Sequence, residues 1–268
     1  MKNRIRGEFI LKFLIVGDVC GRLGREAFRK YVPELKKEHN IDVVVVNGEN
    51  IAGGRGISRK TLDEIYRAGA DIVTSGNHIW DQKEIVSFID DEPFLIRPAN
   101  YPEGAPGKGY CIYPFKAKNI GVINVSGRTF MPPMDCPFQK VDEILKEIKN
   151  QCDIILVDIH AEATSEKIAM GFYLDGKVTC VVGTHTHVQT ADNRILPKGT
   201  AYISDLGMVG PYNSSLGINV NNAIDKFITC RPVRFEMAEG PNIFSAVVLE
   251  LAEDNSVKSF ERILFNEE

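Results

Sequence analysis

The chain has 268 residues, of which 44% are hydrophobic and 25% charged, and its formal net charge at pH 7 is −4. These proportions are those of a globular protein with a sizeable core, and they exclude a disordered or fibrous chain. The negative balance leaves no surplus of basic residues to follow a nucleic-acid backbone, so we expect no long nucleic acid as a partner.

The amino terminus and the cysteines favour a cytoplasmic protein. A basic start precedes an apolar stretch, but Lys12 interrupts that stretch and no small-residue cleavage site follows, which argues against a secretion signal. No apolar run approaches the ~20 residues of a transmembrane helix, so we expect no membrane partner. The six cysteines lack C-x-x-C spacing, and Cys152 and Cys180 lie in apolar runs, as free thiols do in a reducing compartment.

In chain order, the first third alternates strands with helices. Apolar runs predict buried strands at 13–19, 41–50 and 71–77. The segments between and after them predict helices at 22–38, after an N-cap at Ser58, and at 81–89. Such alternation is typical of crossover connections and a largely parallel sheet, and the unbroken Val and Ile runs indicate burial on both faces.

The rest of the chain is less regular. Proline- and glycine-rich loops are predicted at 101–110 and 128–138, with a hairpin at 111–127 between them. A helix is predicted at 138–151, strands at 152–162 and 178–188, and antiparallel strands after 231. No repeat or linker divides the chain, so we expect residues 1–268 to form one domain.

The five clearest strands each end in polar residues. These residues are Asp18 after the first, Glu49 and Asn50 after the second, Asn77 and His78 after the third, His160 in the fourth, and His185 and His187 after the fifth. The carboxyl ends of parallel strands in an open α/β sheet form one rim, where ligands bind. If these strands share a sheet edge, carboxylates, amide oxygens and imidazoles meet in one small volume.

This set of side chains has the chemistry of a metal site. Carboxylate, amide oxygen and neutral imidazole suit manganese, iron or zinc and suit calcium poorly. About six such ligands are too many for one tetrahedral ion and fit two ions that share a carboxylate. Singly, each has a plainer reading, such as a helix cap for Asn77 or a hydrogen-bonded core histidine for His160. Jointly, four of the five histidines would have to reach strand ends by accident.

At this point the motifs resemble those of the calcineurin-like metallophosphoesterases, and most closely the YmdB-like cyclic-nucleotide phosphodiesterases. The resemblance is carried by GDVCGRLGRE, NGENIAGGRGIS, SGNHIWD, DIHAEATSEKIAMGFYLDGKV, GTHTHVQTAD and AYISDLGMVGP, which together span roughly residues 16–211. It implies an α/β fold, a sandwich of two mixed β-sheets flanked by helices, with metal ions at the strand ends.

The resemblance also implies a role for each polar residue. One ion would be bound by Asp18 and His187 with help from Asn50, and the other by Asn77, His160 and His185. Glu49 would bridge the two ions, and His78 would lie near the substrate without binding a metal.

Two positions depart from the wider superfamily. Its usual Asp-x-His start reads Asp18-Val19-Cys20 here, and its usual bridging aspartate is Glu49. The YmdB-like branch also lacks the early histidine, so Cys20 is not interpreted as a replacement ligand. The first ion then has fewer nitrogen ligands, which favours iron or manganese, with zinc as the alternative.

The implied activity is that of a dinuclear metal-dependent phosphodiesterase. A hydroxide bridging the ions would attack phosphorus while His78 protonates the leaving oxygen, and Thr184, Thr186 and Arg55 could donate to phosphate oxygens. The expected substrates are 2′,3′- or 3′,5′-cyclic nucleotides. The alternatives are a phosphomonoesterase or RNA nuclease using the same site, and a non-catalytic regulator that binds metal and nucleotide. A homo-oligomer is also open, since the loops at 102–109 and 130–137 could pack on a partner.

Overall fold

The computed structural model describes residues 10–267, and the first nine residues of the segment considered for a secretion signal lie outside them. The strands are β1 Leu11–Val16, β2 Asp18–Val19, β3 Val43–Asn47, β4 Ile72–Thr74, β5 Tyr110–Phe115, β6 Lys118–Ser126, β7 Ile154–His160, β8 Cys180–Thr184, β9 Arg194–Ile195, β10 Ala201–Ile203, β11 Met208–Pro211, β12 Asn242–Leu251 and β13 Val257–Asn266. The α-helices are α1 Gly21–His39, α2 Arg59–Arg67, α3 Pro137–Ile148, α4 Thr164–Leu174 and α5 Val220–Thr229.

The strands form two mixed sheets, which confirms the predicted α/β sandwich. The first sheet has the order β2-β11-β12-β1-β3-β4, with β13 paired to β12, and the second has the order β5-β6-β7-β8-β10-β9. Strands β1, β3 and β4 run parallel, as do β6, β7, β8 and β10. The antiparallel pairs are β1 with β12, β11 with β12, β12 with β13, β5 with β6, and β9 with β10.

Alternating side chains of the central strands build three apolar layers. In β1, Leu14 packs with Phe28 of α1 in the outer layer of the first sheet, while Ile15 packs with Leu156 of β7 between the sheets. The outer layer of the second sheet joins α3 and α4 to β6, β7 and β8. Because successive side chains of a strand point to opposite faces, strands covered on both faces must be apolar throughout.

The helix predicted after Ser58 is confirmed, and the one predicted at 81–89 is wrong. Ser58 caps α2 through a reciprocal pair of hydrogen bonds with Thr61. Two 3₁₀ helices, Lys83–Ser87 and Ile89–Asp91, occupy the second segment. The start of this segment is held in another conformation, because the Gln82 side chain donates to the backbone carbonyls of Ala52 and Arg55 in the loop before α2. Helices α4 and α5 were not predicted at all.

The polar strand ends lie on two sheet edges instead of one. Strands β1, β3 and β4 belong to the first sheet, and β7 and β8 to the second. Their carboxyl ends nevertheless meet at the same end of the sandwich, as the distances below show.

Across residues 10–267, no helix is both long and apolar enough to cross a membrane. The six cysteines in this range are free thiols; Cys180 is buried as expected, whereas Cys152 is half-buried.

Candidate active site

The first sheet places oxygen donors in short turns after its strands. At Gly17 the chain stops pairing with β12 and begins to pair with β11. The Gly17 amide donates to the Ser245 carbonyl, and the Asp18 amide donates to the Gly207 carbonyl. A Cβ at Gly17 would lie 2.0 Å from the Gly207 carbonyl oxygen, so only glycine permits this crossing. The crossing buries Asp18 completely. Glu49 is likewise buried, in the turn after β3.

His160, at the end of β7, lies at the meeting point of the two sheets. Its Nε2 is 3.3 Å from Oε1 of Glu49, 3.0 Å from Oδ1 of Asn77 and 3.0 Å from Nδ1 of His185. Gly76 makes room for this approach, since a Cβ there would lie 2.3 Å from Nε2 of His160 and 2.4 Å from Oε2 of Glu49.

A buried hydrogen-bond chain fixes the tautomer of His160. The Thr184 hydroxyl donates to Oδ1 of Asp158 at 2.8 Å. The Thr184 hydroxyl oxygen lies 2.9 Å from Nδ1 of His160. Because its own proton is donated to Asp158, this oxygen accepts a hydrogen bond from that nitrogen. Nδ1 of His160 is therefore protonated, and Nε2 presents a lone pair to the cluster, as metal binding requires. The Thr184 hydroxyl is thus used inside the protein, contrary to its expected contact with phosphate.

Two clusters of candidate metal ligands share one carboxylate, that of Glu49. Glu49, His160 and His185 each offer a ligand atom within 4.8 Å of the others, and so do Asp18, Glu49 and His187. Asn50 lies beside the second cluster, its Nδ2 being 3.1 Å from Oε1 of Glu49 and 3.3 Å from Nε2 of His187. The structure therefore brings together all seven side chains that the sequence suggested as ligands.

The clusters fit cations. Within the described residues, Oδ1 of Asp18 is buried without a hydrogen-bond partner and lies 3.8 Å from Nε2 of His187. A buried carboxylate oxygen without a partner is unfavourable. Carboxylates, amide oxygens and imidazole lone pairs facing one another need positive charge between them, and manganese, iron and zinc accept such ligands.

Burial and mutual charge move the pKa values of the cluster apart. Burial raises the pKa of Asp18 to about 7 although His187 and His160 oppose the shift. Burial also acts to raise the pKa of Glu49, but His160 and His78 prevail and lower it to about 2. Burial lowers the pKa of His185 to about 3. The metal-free cluster thus holds protons at Asp18 near neutrality, where a cation would replace them.

His78 lies beside the cluster without joining it. Its backbone amide donates to Oε2 of Glu49 at 3.1 Å, and its Nδ1 lies 2.9 Å from Oδ2 of Asp81. With Nδ1 paired to a carboxylate, Nε2 is the atom left to exchange a proton with a ligand. The side chain is 26% exposed, so it borders the open cleft.

The clusters form one wall of a cleft of about 440 Å³. The cleft is also lined by the apolar residues Leu216, Ile218, Phe235 and Met237, and by the charged residues Arg55 and Glu236. Phe235 is 41% exposed. A volume of this size is within the ~300–1,000 Å³ range of small-molecule sites. The cleft therefore combines a charged wall with an apolar one.

One neighbour of the site, Glu162, was missed in the sequence, and Cys20, which was weighed there and not interpreted as a ligand, also lies beside it. Oε2 of Glu162 lies 3.2 Å from Nε2 of His185, and Sγ of Cys20 lies 3.7 Å from Nδ1 of His187. Glu162 stands two residues after His160, so the strand-end rule could have found it. Thr186 was expected to contact phosphate, but its hydroxyl donates to Oδ2 of Asp205 at 2.6 Å.

Comparisons with known proteins agree with this geometry. The sequence model of the family described as YmdB-like protein matches residues 14–263. The chain belongs to the YmdB-like family. It is 51% identical over 260 residues to the 2′,3′-cyclic-nucleotide 2′-phosphodiesterase of Bacillus subtilis, covering 96% of this chain and 98% of that one.

Solved structures of similar chains share the fold. A hypothetical protein from Thermus thermophilus superposes on this YmdB-like chain with a TM-score of 0.91 at 40% identity, covering 96% of this chain and 100% of that one. A novel phosphatase from Mycoplasma pneumoniae superposes with a TM-score of 0.92 at 35% identity, covering 97% and 95%.

Proposed function

We propose that this YmdB-like protein is a metal-dependent phosphodiesterase that hydrolyses 2′,3′-cyclic nucleotides. The observation that carries the proposal is Glu49, a buried carboxylate shared by two donor clusters on the wall of a small-molecule cleft. The name of the Bacillus subtilis relative supports the substrate class. Hydrolysis of 3′,5′-cyclic nucleotides is the neighbouring possibility that the same site allows.

The proposed ligands divide into two sets. We infer that one cation is held by Asp18, Asn50 and His187, the other by Asn77, His160 and His185, and both by Glu49. When bound, such a pair supplies Lewis acidity, which activates water and neutralises charge on the phosphoryl oxygens. The oxygen-rich first set favours iron or manganese over zinc.

We propose that His78 donates a proton to the leaving oxygen. Asp81, at 2.9 Å from Nδ1, orients the ring, which leaves Nε2 to face the substrate. A cyclic phosphodiester releases an alkoxide, and an alkoxide leaves readily only when it is protonated. The backbone hydrogen bond from His78 to Glu49 keeps this acid beside the proposed bridging ligand.

The apolar side of the cleft suits a nucleobase. Phe235 and Leu216 are large apolar side chains left 41% and 49% exposed in a cleft continuous with the donor clusters. Segment 217–219 is joined to segment 236–238 by backbone hydrogen bonds, and the Met237 side chain anchors this wall. A Cβ at Gly54 would lie 2.3 Å from Sδ of Met237, so glycine at 54 lets the wall dock there.

The test uses protein stripped with EDTA and then given Mn²⁺. We expect 2′,3′-cyclic nucleotides to be hydrolysed only after metal is restored, and 4-nitrophenyl phosphate and RNA to be poorer substrates. Because the Mycoplasma pneumoniae relative is described as a phosphatase, monoester hydrolysis is the second candidate. Faster turnover of the monoester than of any cyclic diester would favour it. Nucleotide binding at saturating Mn²⁺ without any turnover would overturn both and point to a regulator.

Three broader predictions remain proposals. A single domain is supported by the family match over residues 14–263, and a cytoplasmic location by the free cysteines. The sequence leaves a homo-oligomer open, and sedimentation of the purified protein would test for it.

A further inference from the structure

A lysine is buried beneath the active site, where the proposed reaction has no use for it. Lys167 of α4 is 1% exposed, and its ammonium lies 2.7 Å from Oδ2 of Asp205, which is 0% exposed. Lysine is almost never fully buried unless it is paired. Even when paired, a buried ion pair is often no more stabilising than apolar residues of the same volume. A gain in stability therefore does not by itself account for this pair.

The pair holds the two residues that flank His185. The Lys167 ammonium donates to the Thr184 carbonyl at 3.2 Å and lies 3.4 Å from the Thr186 hydroxyl. Oδ2 of Asp205 accepts from the Thr186 amide at 3.1 Å and from its hydroxyl at 2.6 Å. Both sides of one proposed ligand are thus fixed by charge-assisted hydrogen bonds, which are stronger than neutral ones.

The held segment has an unfavourable backbone. The φ angles of His185 and His187 are 99° and 63°, in the left-handed region that residues with a Cβ avoid. Such conformations persist only where surrounding contacts over-determine them. The Lys167–Asp205 pair supplies contacts of this kind on either side of His185.

The same carboxylate reaches towards the other cluster. Oδ1 of Asp205 accepts from the Gly207 amide at 2.8 Å, and the Gly207 carbonyl accepts from the Asp18 amide at 3.0 Å. Space for the lysine is reserved as well, since a Cβ at Gly183 would lie 2.7 Å from Cδ of Lys167. One buried pair therefore braces backbone that carries proposed ligands of both cations.

We infer that Lys167 and Asp205 are positioning residues, which hold the Thr184–His187 segment in the strained conformation that aims His185 and His187 at the two cations. Neither residue touches a cation or the substrate. The inference rests on the proposed metal binding and is independent of which phosphoester is hydrolysed.

The test is the affinity of EDTA-stripped protein for Mn²⁺, measured by calorimetry and by the electron paramagnetic resonance signal of free Mn²⁺. The variant K167M/D205N removes both charges and keeps an acceptor for Thr186. We expect it to melt within a few degrees of its control when both are metal-free, and to bind Mn²⁺ about 10- to 100-fold more weakly than wild type, the usual cost of losing support for metal ligands. The control is K12M, which breaks the ion pair of Lys12 with Glu250. This pair lies at the end of β1 opposite the proposed metal site.

If the double variant does not fold, T186V takes its place. It leaves Lys167 and Asp205 paired and removes only the hydroxyl that links them to the segment, and we expect affinity to fall about fivefold, as for one lost hydrogen bond. Unchanged affinity in a folded variant would overturn the inference. Wild-type protein that binds no Mn²⁺ would overturn the inference and the proposed metal dependence together. Wild-type protein that binds Mn²⁺ but hydrolyses no phosphoester would overturn only the proposed function. The comparison of Mn²⁺ affinities would still decide whether Lys167 and Asp205 are positioning residues.

Discussion

The two sheets supply different donors to one cleft. The first sheet and the turns after its strands place the candidate oxygen ligands, which are Asp18, Glu49, Asn50 and Asn77. The second sheet and the loop after β8 place the imidazole ligands, which are His160, His185 and His187. The oxygen donors sit in turns where glycines such as Gly17 and Gly76 let backbones approach closely. The imidazoles depend on buried polar partners: Nδ1 of His160 lies 2.9 Å from the Thr184 hydroxyl, which donates in turn to Asp158. Both halves thus depend on contacts between residues distant in sequence, through glycines beside the oxygen ligands and through buried hydrogen bonds beside the imidazoles.

Glu49 is shared by the two ligand clusters, so removing its charge is the most severe test. We expect E49Q to lower hydrolysis of a 2′,3′-cyclic nucleotide by about a thousandfold or more, since a cation pair contributes several kcal/mol and each ~1.4 kcal/mol is tenfold. Initial rates at saturating Mn²⁺ would measure it. The control E143Q changes an exposed glutamate of α3. A rate within tenfold of wild type would refute the bridging role.

Removing one ligand from each half should separate the two cations. We expect D18N to weaken one Mn²⁺ site and H185A the other, each by about 100-fold or more, because a lost ligand costs at least as much as a lost supporting residue. Calorimetric titration would count the sites left at full affinity. The two-set assignment fails if both variants weaken the same site.

His78 tests whether the first half also supplies the acid. We expect H78A to slow hydrolysis of a cyclic nucleotide about 100-fold, at the lower end of general acid catalysis. Bis(4-nitrophenyl) phosphate should be far less affected, because nitrophenolate leaves without protonation. The control H39A changes the histidine at the end of α1. Equal losses on both substrates would show that His78 acts in another way.

Phe235 should give the smallest effect, since it lies on the apolar wall outside both halves. We expect F235A to raise KM for a cyclic nucleotide about tenfold with kcat nearly unchanged, because stacking on a base contributes ~1–3 kcal/mol. Glycerol 1,2-cyclic phosphate, which lacks a base, should show no change. F227A, on exposed α5, is the matched control. A KM increase with both substrates would exclude base stacking.

The sequence predicted the strands and the donors better than their supports. Apolar runs and polar strand ends are local signals, so the candidate ligands from Asp18 to His187 could be proposed before the fold was known. Their division between two sheets was not predicted, because periodicity does not reveal which strands pair.

The missed helices have physical causes. In α4 the buried face includes Lys167, a residue that hydrophobic periodicity assigns to solvent, so the pattern is broken at the position that supports the site. In α5 the relation is reversed, with Ala223 buried while Phe227 and Ile228 are 80% and 77% exposed. Periodicity fails wherever a charge is buried for support or an apolar side chain remains at the surface.

The Asp158 carboxylate has a consequence for the mechanics of the enzyme. It accepts hydrogen bonds from Thr74 of the first sheet at 2.5 Å and from Thr184 of the second at 2.8 Å, and so pins the layers against sliding. Because each layer carries half of the donors, shear between them would pull carboxylates away from imidazoles. We therefore expect the alignment of the two layers to set the separation of the proposed cations, so that a substitution deep in the sandwich would lower activity without touching the cleft.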